Sequence, residues 1–162
     1  MIQRTLALIK TDGLQRSLVG EILSRFEKVG LKIIGMKMIQ ANKDLATKHY
    51  CDIKEKHGER VFESLINYLT GSPVIAICFE GVDSINVVRK MVGSTYPNEA
   101  LPGTIRGDFA HISKHYANGN KVKVSNLVHA SASLEEAKSE VDLWFSNEEL
   151  HEYKITSEVH LR

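Results

Sequence analysis

The sequence predicts an α+β fold: a ferredoxin-like (βαββαβ) four-stranded antiparallel sheet with helices on one face. Three observations predict it. Short apolar runs and helical stripes follow in the order strand, helix, strand, helix pair, strand, helix, strand, helix, which fits the split βαβ arrangement. The chain has 162 residues, the size of one domain with a full core. No internal repeat, low-complexity tract or linker interrupts it, so a single domain over residues 1–162 is expected.

Residues 5–10, Thr-Leu-Ala-Leu-Ile-Lys, are apolar on both faces and read as a central strand. Thr11-Asp12-Gly13 reads as a turn. Leu18, Val19, Ile22, Leu23, Phe26 and Val29 recur at helical spacing, and Gly30 supplies a stop. Residues 31–40 alternate as a second strand, with a shift at Ile33-Ile34 beside Gly35 that suggests a bulge. Asn42 is an N-cap for a helix carrying Leu45, His49, Tyr50 and Ile53. Val61, Phe62, Leu65, Ile66 and Leu69 form the next helical stripe. Gly71-Ser72-Pro73 ends it and opens a buried strand over 74–80. A helix carries Ile85, Val88 and Val92, and residues 93–109 are irregular and rich in Gly and Pro. Residues 110–114 and 121–124, around Asn118-Gly119-Asn120, read as a hairpin. Leu127-Val128 ends the last strand. Ser133-Leu134-Glu135-Glu136 is a capping box for the last helix, and the tail from Leu150 is expected to wrap the surface.

Composition excludes several classes. Twenty-one Lys+Arg against 20 Asp+Glu give a formal charge of +1, so no global field draws nucleic acid or anionic membrane. The two cysteines form neither a disulfide framework nor a zinc-ligand pair. No signal-peptide h-region and no apolar run near the ~18 residues of a membrane span occurs. A cytoplasmic protein with no membrane and no nucleic-acid partner is expected. The common Gly-rich phosphate cradles, the kinase H-R-D and D-F-G sets, H-E-x-x-H and G-x-S-x-G are all missing.

What remains is a scattered set of anion-binding side chains at element ends. Lys10 closes the first strand, and Arg89 rides on a helix. Arg106 lies between Gly103 and Gly107, which permit close backbone approach to a ligand and an unusual path. A lone Lys or Arg is most often a solvated surface charge. His129 stands at a strand end just before a capped helix. A helix N-terminus favours a nearby anion, so a phosphohistidine is conceivable there. The plain alternative is a core-edge histidine.

In their order and spacing, these pieces resemble the nucleoside diphosphate kinase family over nearly the whole chain. They include Arg4-Thr5-Leu6-Ala7-Leu8-Ile9-Lys10, His49-Tyr50, Gly71-Ser72-Pro73-Val74, Met91-Val92-Gly93 and Thr95-Tyr96-Pro97. The most specific are Pro102-Gly103-Thr104-Ile105-Arg106-Gly107-Asp108-Phe109 and Asn126-Leu127-Val128-His129-Ala130-Ser131.

The resemblance implies a ping-pong phosphotransfer. A nucleoside triphosphate, typically ATP, gives its terminal phosphoryl group to a histidine, and a nucleoside diphosphate takes it. His129 matches the nucleophile. Lys10, Arg89, Thr95 and Arg106 match the phosphate-holding residues, and Asn126 matches the amide at the sugar and phosphate end. Tyr50 matches the tyrosine near the lysine, Glu140 the carboxylate that orients the histidine, and Ser131 the serine two residues after it. Mg2+ is the implied cofactor, held mainly by the nucleotide phosphates with no protein ligand. A homo-oligomer is implied, a hexamer or tetramer built from dimers.

The sequence departs from the family pattern in four places. Lys10-Thr11-Asp12 replaces Lys-Pro-Asp. Ala132 stands where the family carries an acid, which predicts a weaker Mg2+ environment. The base-stacking aromatic aligns with Val61, beside Phe62. The predicted hairpin between Phe109 and Asn126 is an insertion, expected to cover the site or build a subunit contact. Two other readings compete with an active kinase: a nucleotide-binding regulatory module without turnover, and an interaction domain. The second would need a basic, aromatic sheet face.

Overall fold

The computed structural model describes residues 1–161. Strand β1 (Ile2–Ile9) buries its last five residues, Thr5 to Ile9, on both faces. Where a plain turn was expected, the chain makes a short helix, α1 (Thr11–Gln15). Its first turn forms because the Gly13 and Leu14 amides both donate to the Lys10 carbonyl, at 2.9 and 3.1 Å. Helix α2 (Val19–Lys28) buries Ile22 and Phe26. Strand β2 (Lys32–Ile39) carries the expected bulge, its register slipping between Ile33 and Gly35. Helix α3 (Lys43–His49) is capped by Asn42, whose side chain accepts from the Leu45 amide at 2.8 Å. Helices α4 (Ile53–His57) and α5 (Glu59–Thr70) follow, then strand β3 (Val74–Val82) and helix α6 (Ser84–Val92).

The irregular stretch holds a 3-10 turn at Pro97–Glu99 and helix α7 (Ile105–Phe109), capped by the Thr104 hydroxyl. The insertion is not a hairpin. Ser113 caps a helix, α8 (Lys114–Gly119), by accepting from the Tyr116 amide at 3.0 Å. Its end is a Schellman turn. The Val122 amide donates to Ala117 and that of Lys121 to Asn118, with Lys121 left-handed at φ 53°. The Asn-Gly-Asn signal therefore closes a helix instead of joining two strands.

Strand β4 (Val128–Ala130) and helix α9 (Leu134–Trp144) complete the fold. Ser133 caps α9, but the Glu136 carboxylate reaches past it to the Ala132 amide, so only half of the expected capping box forms. In the tail, the His151 amide donates to Ile34, the residue that the bulge leaves out of the ladder. The Tyr153 hydroxyl donates to Ile33 at 2.6 Å. A last turn, α10 (Glu158–Leu161), closes the described chain.

The sheet order is β2-β3-β1-β4, and every pair is antiparallel. That is the ferredoxin-like order expected. The two crossover helices, α2 and α6, do share one face, packing Phe26 and Val88 with Ile9, Ile77 and Phe79. Helices on one face alone is corrected, however. Residues of α3, α5 and α9 bury Leu6, Leu8, Ala76 and Cys78 on the other face. The reason lies in the strand already read as apolar on both sides, since each apolar face needs its own cover. Phe26 meets Phe79 at a ring-centroid distance of 4.8 Å. Truncating Phe26 to Ala is expected to cost about 3–5 kcal/mol.

Candidate active site

The chain makes a tight turn just before His129. The Val128 amide donates to the Asn126 carbonyl at 2.7 Å, closing a γ-turn around Leu127. Leu127 is fully buried with φ 66°, a strained conformation for a side chain of that size. Its amide donates to Asp12 at 3.0 Å, and its carbonyl accepts from the Lys10 amide at 2.8 Å. These ties hold the turn in place. They also aim the carbonyls of Asn126 and Val128 at one guanidinium. Arg106 Nε donates to Asn126 at 3.1 Å and Nη2 to Val128 at 2.6 Å. Arg106 Nη1 donates to Gly93 at 2.9 Å.

Two glycines make this approach possible. A Cβ on Gly107 would lie 2.1 Å from the Leu101 carbonyl oxygen. One on Gly93, at φ 87°, would lie 2.5 Å from Thr104 Oγ1. Close approach to a ligand was expected at Gly103 and Gly107; Gly107 instead makes room for the chain's own Leu101 carbonyl, and a Cβ on Gly103 would meet nothing within 4 Å. Burial, then the nearby Arg89, lowers the Arg106 pKa to about 10, so it stays charged at neutral pH.

Lys10 Nζ donates to Asn126 Oδ1 at 2.7 Å, and Asn126 Nδ2 donates to the Thr95 carbonyl at 2.9 Å. One carboxamide thus bridges the end of β1 and the irregular loop. Burial, then Arg106, pulls Lys10 down to about 8.

His129 Nε2 lies 2.7 Å from Glu140 Oε1, and Glu140 Oε2 accepts the Ser131 hydroxyl at 2.5 Å. Glu140 sits on α9 and is buried, as is Ser131. Burial raises the Glu140 pKa, while His49 and the Ser131 hydrogen bond pull it back. Burial, then Lys10 and the two arginines, push His129 down to about 3 against the opposing field of Glu136. The imidazole is therefore neutral at pH 7. Its Nε2 proton goes to Glu140, which leaves Nδ1 with the lone pair. No hydrogen bond to Nδ1 forms among the described residues.

Behind this pair, the His49 ring meets His129 edge-on at 4.6 Å. His49 Nδ1 accepts the Trp144 indole N–H at 3.3 Å. His49, His129 and Glu140 offer ligand atoms within 4.8 Å of one another. This nitrogen-rich set suits a softer cation than magnesium.

His129 lines a cleft of about 710 Å3 together with Lys10, Tyr50, Arg89, Thr95, Arg106 and Asn126. Arg89 Nη1 reaches Ala130 O at 3.5 Å. The far wall comes from α5, with Arg60, Val61, Leu65 and Tyr68, and from the insertion, with Lys121, Val122 and Lys123. Phe62 packs against the core instead, so Val61 is the residue that α5 offers near that end. Tyr50 lines the cleft with Lys10, and the Tyr68 ring also stands beside Lys10, its centroid 5.8 Å from Nζ. The Tyr68 hydroxyl donates to Asp12. Lys123 Nζ stands 3.6 Å over the centroid of the same ring.

A model of the nucleoside diphosphate kinase family matches residues 3–150. The chain belongs to that family. It is 45% identical to the nucleoside diphosphate kinase of Borreliella burgdorferi over 98% of this chain and 96% of that one. It is 48% identical to the Pyrococcus furiosus enzyme over 94% of this chain and 88% of that one. A solved structure of the Borrelia burgdorferi kinase, a transition-state mimic with bound vanadate and ADP, superposes with a TM-score of 0.95 at 44% identity. It covers 99% of this chain and 96% of that chain. A Halobacterium salinarum kinase solved with CDP superposes at 0.85 with 33% identity, covering 98% and 97%.

Every site residue expected of this kinase lies in or directly behind the cleft. Lys10, Tyr50, Arg89, Thr95, Arg106, Asn126 and His129 line it. Glu140 and Ser131 stand behind His129. The sequence reading missed Tyr68, Lys121, Lys123 and Glu136 as cleft residues. Tyr68 lies at the edge of the α5 stripe, three residues after Leu65 and seven after Val61, so its spacing reads as one more core position. His49, read as a plain core histidine, is buried against the imidazole of His129.

Proposed function

We propose that this nucleoside diphosphate kinase moves the terminal phosphoryl group of ATP and other nucleoside triphosphates to nucleoside diphosphates through His129. The observation that carries this reading is the division of labour on one imidazole. Nε2 is fixed to Glu140 at 2.7 Å, while Nδ1 carries its lone pair on a wall shared with Lys10, Arg89 and Arg106.

His129 Nδ1 attacks the terminal phosphorus. The N–P bond forms and the bridging O–P bond breaks, its electron pair leaving with the diphosphate. The imidazolium so formed keeps its Nε2 proton against the Glu140 carboxylate, which offsets the new positive charge. Ser131 holds the other carboxylate oxygen and stops it from rotating away. A second nucleoside diphosphate then attacks the phosphohistidine and restores the enzyme. Lys10, Arg89 and Arg106 stabilise charge on the transferred group, which is most of what phosphoryl transfer requires. Asn126 and the Thr95 segment align the sugar and phosphate chain, and Tyr50 shapes the wall beside it. Nucleotides of different bases are accepted, with Val61 and Leu65 giving the base an apolar wall that does not distinguish one ring from another.

Mg2+ fits as the phosphate counter-ion. The lining is cationic apart from Glu136, so phosphate oxygens supply most of its ligands. When bound, it would offset negative charge on the nucleotide phosphates.

The chain acts as one domain and works in the cytoplasm as a homo-oligomer, a hexamer or tetramer of dimers. Exposed Met36 and Met38 on the edge strand β2 support association. No helix among the described residues is long and apolar enough to cross a membrane.

Intact mass tests the relay. After mixing with ATP and Mg2+ without acceptor, the protein should gain one phosphoryl group and lose it when UDP is added. His129→Ala should fold and gain nothing. Bound nucleotide with no gain in the wild type would replace the kinase reading with a regulatory one.

A further inference from the structure

The cleft holds one acid that the transfer does not use. Its charged lining consists of Lys10, Arg60, Arg89, Arg106, Lys121 and Lys123 against the single carboxylate of Glu136. A bare carboxylate beside a site that receives a chain of phosphates weakens binding by like-charge repulsion. It becomes favourable only when a cation stands between the two.

Its position is built. Glu136 lies one helical turn after Ala132, and its Oε2 accepts the Ala132 amide at 2.8 Å. The Glu136 amide in turn donates to the Ser133 hydroxyl at 3.1 Å. The first turn of α9 therefore folds the side chain back toward the cleft wall that holds His129 and Ala130. One carboxylate oxygen is used by the backbone, and Oε1 has no partner among the described residues. Glu136 also forms no ion pair there, because the nearby Lys56 is taken by Asp52 at 2.5 Å. A hard divalent cation that keeps most of its waters and binds phosphate oxygens commonly adds one carboxylate.

We propose that Glu136 is the positioning carboxylate for the magnesium of the bound nucleotide, holding it directly or through one of its waters. It supplies from position 136 the acid that is absent at Ala132. The metal end of the cleft is then not weakened by Ala132, contrary to the expectation from sequence. This inference rests on the cleft being the nucleotide site.

ADP binding by calorimetry, in Mg2+ and in EDTA, tests it. The readout is the ratio of the two affinities. Glu136→Gln should shrink that ratio on the order of tenfold, while ADP in EDTA binds as tightly as to the wild type or more tightly. Ala132→Asp added to Glu136→Gln should restore the ratio, since the acid returns to the same spot. Glutamine can still accept the Ala132 amide, so a purely structural role predicts an unchanged ratio. That result would overturn the proposal, as would equal weakening in Mg2+ and in EDTA. With Mn2+ in place of Mg2+, water-proton relaxation of the ternary complex should differ between wild type and Glu136→Gln, and identical relaxation would also overturn it. Failure of the kinase reading shows separately, as a wild type that binds ADP but never forms the phosphoenzyme.

Discussion

The two ends of the cleft are held by different kinds of bond. At the inner end, Arg106, Asn126, Glu140 and Ser131 each make at least two hydrogen bonds, most of them to the backbone or between buried groups. At the outer end, Val61 is exposed, Lys123 rests on the Tyr68 ring, and the insertion has no strand pairing. Geometry at the inner end is over-determined, as chemistry on a phosphorus atom demands. The outer end only has to bound a space that different bases enter.

Breaking the inner end should have the largest effects. Arg106→Lys leaves buried carbonyls at Gly93, Asn126 and Val128 short of donors. A loss of about 3 kcal/mol in urea unfolding is expected, with kcat/KM down by on the order of a hundredfold or more. Glu140→Gln keeps an acceptor for Nε2 but removes the charge that balances the imidazolium. Phosphoenzyme formation in rapid quench should slow by on the order of a hundredfold while ADP affinity holds.

The pH profile probes the same end. The Lys10 pKa is lowered to about 8 from an ordinary 10.5, so kcat/KM, which reports the free enzyme, should decline above about pH 8. Stability should move the other way. Between those values the unfolded chain keeps a proton that the folded one has released, so this group makes folding more favourable as pH rises. Both His49 and His129 sit near 3, below the ordinary 6.5. Their contribution to stability is therefore present above pH 6.5 and is lost as pH falls toward 3, which thermal melts would follow.

Changes at the outer end sharpen the contrast by doing little. Lys123→Ala should raise KM for ADP by roughly threefold, the size of one exposed charge interaction, and leave kcat alone. Val61→Phe adds a flat platform and should tighten nucleotide binding by about 0.5–1 kcal/mol. A large kcat effect from either would show that the outer wall also sets the reacting geometry.

The same division governs what the sequence discloses. The inner end was legible because its parts are local and specific: a strand ending in Lys10, glycines flanking Arg106, and His129 before a capped helix. The sheet was legible from periodicity, and the β2 bulge from one phase slip. The insertion was misread because Asn118-Gly119-Asn120 serves a hairpin or a helix end equally well. The helix end forms one residue after the Asn-Gly-Asn signal, with Lys121 rather than the glycine in the left-handed position. α1 was misread for the same reason, since five residues carry too little periodicity to declare a helix. Glu136 was hidden by its own motif. It reads as a capping residue, and nothing in the spacing reveals that its carboxylate overshoots the cap by one residue.

Arg106 spends three of its five N–H donors on the main chain, two of them on the turn that leads into His129. Two donors remain, and in the proposed mechanism they take a phosphate, so that one guanidinium would hold both the ligand and the peptide that leads into His129. A nucleotide pulling on one side tightens the other. Occupancy should therefore be felt as stiffness along residues 126–129, with amide exchange there slowing when ADP binds, before any chemistry occurs.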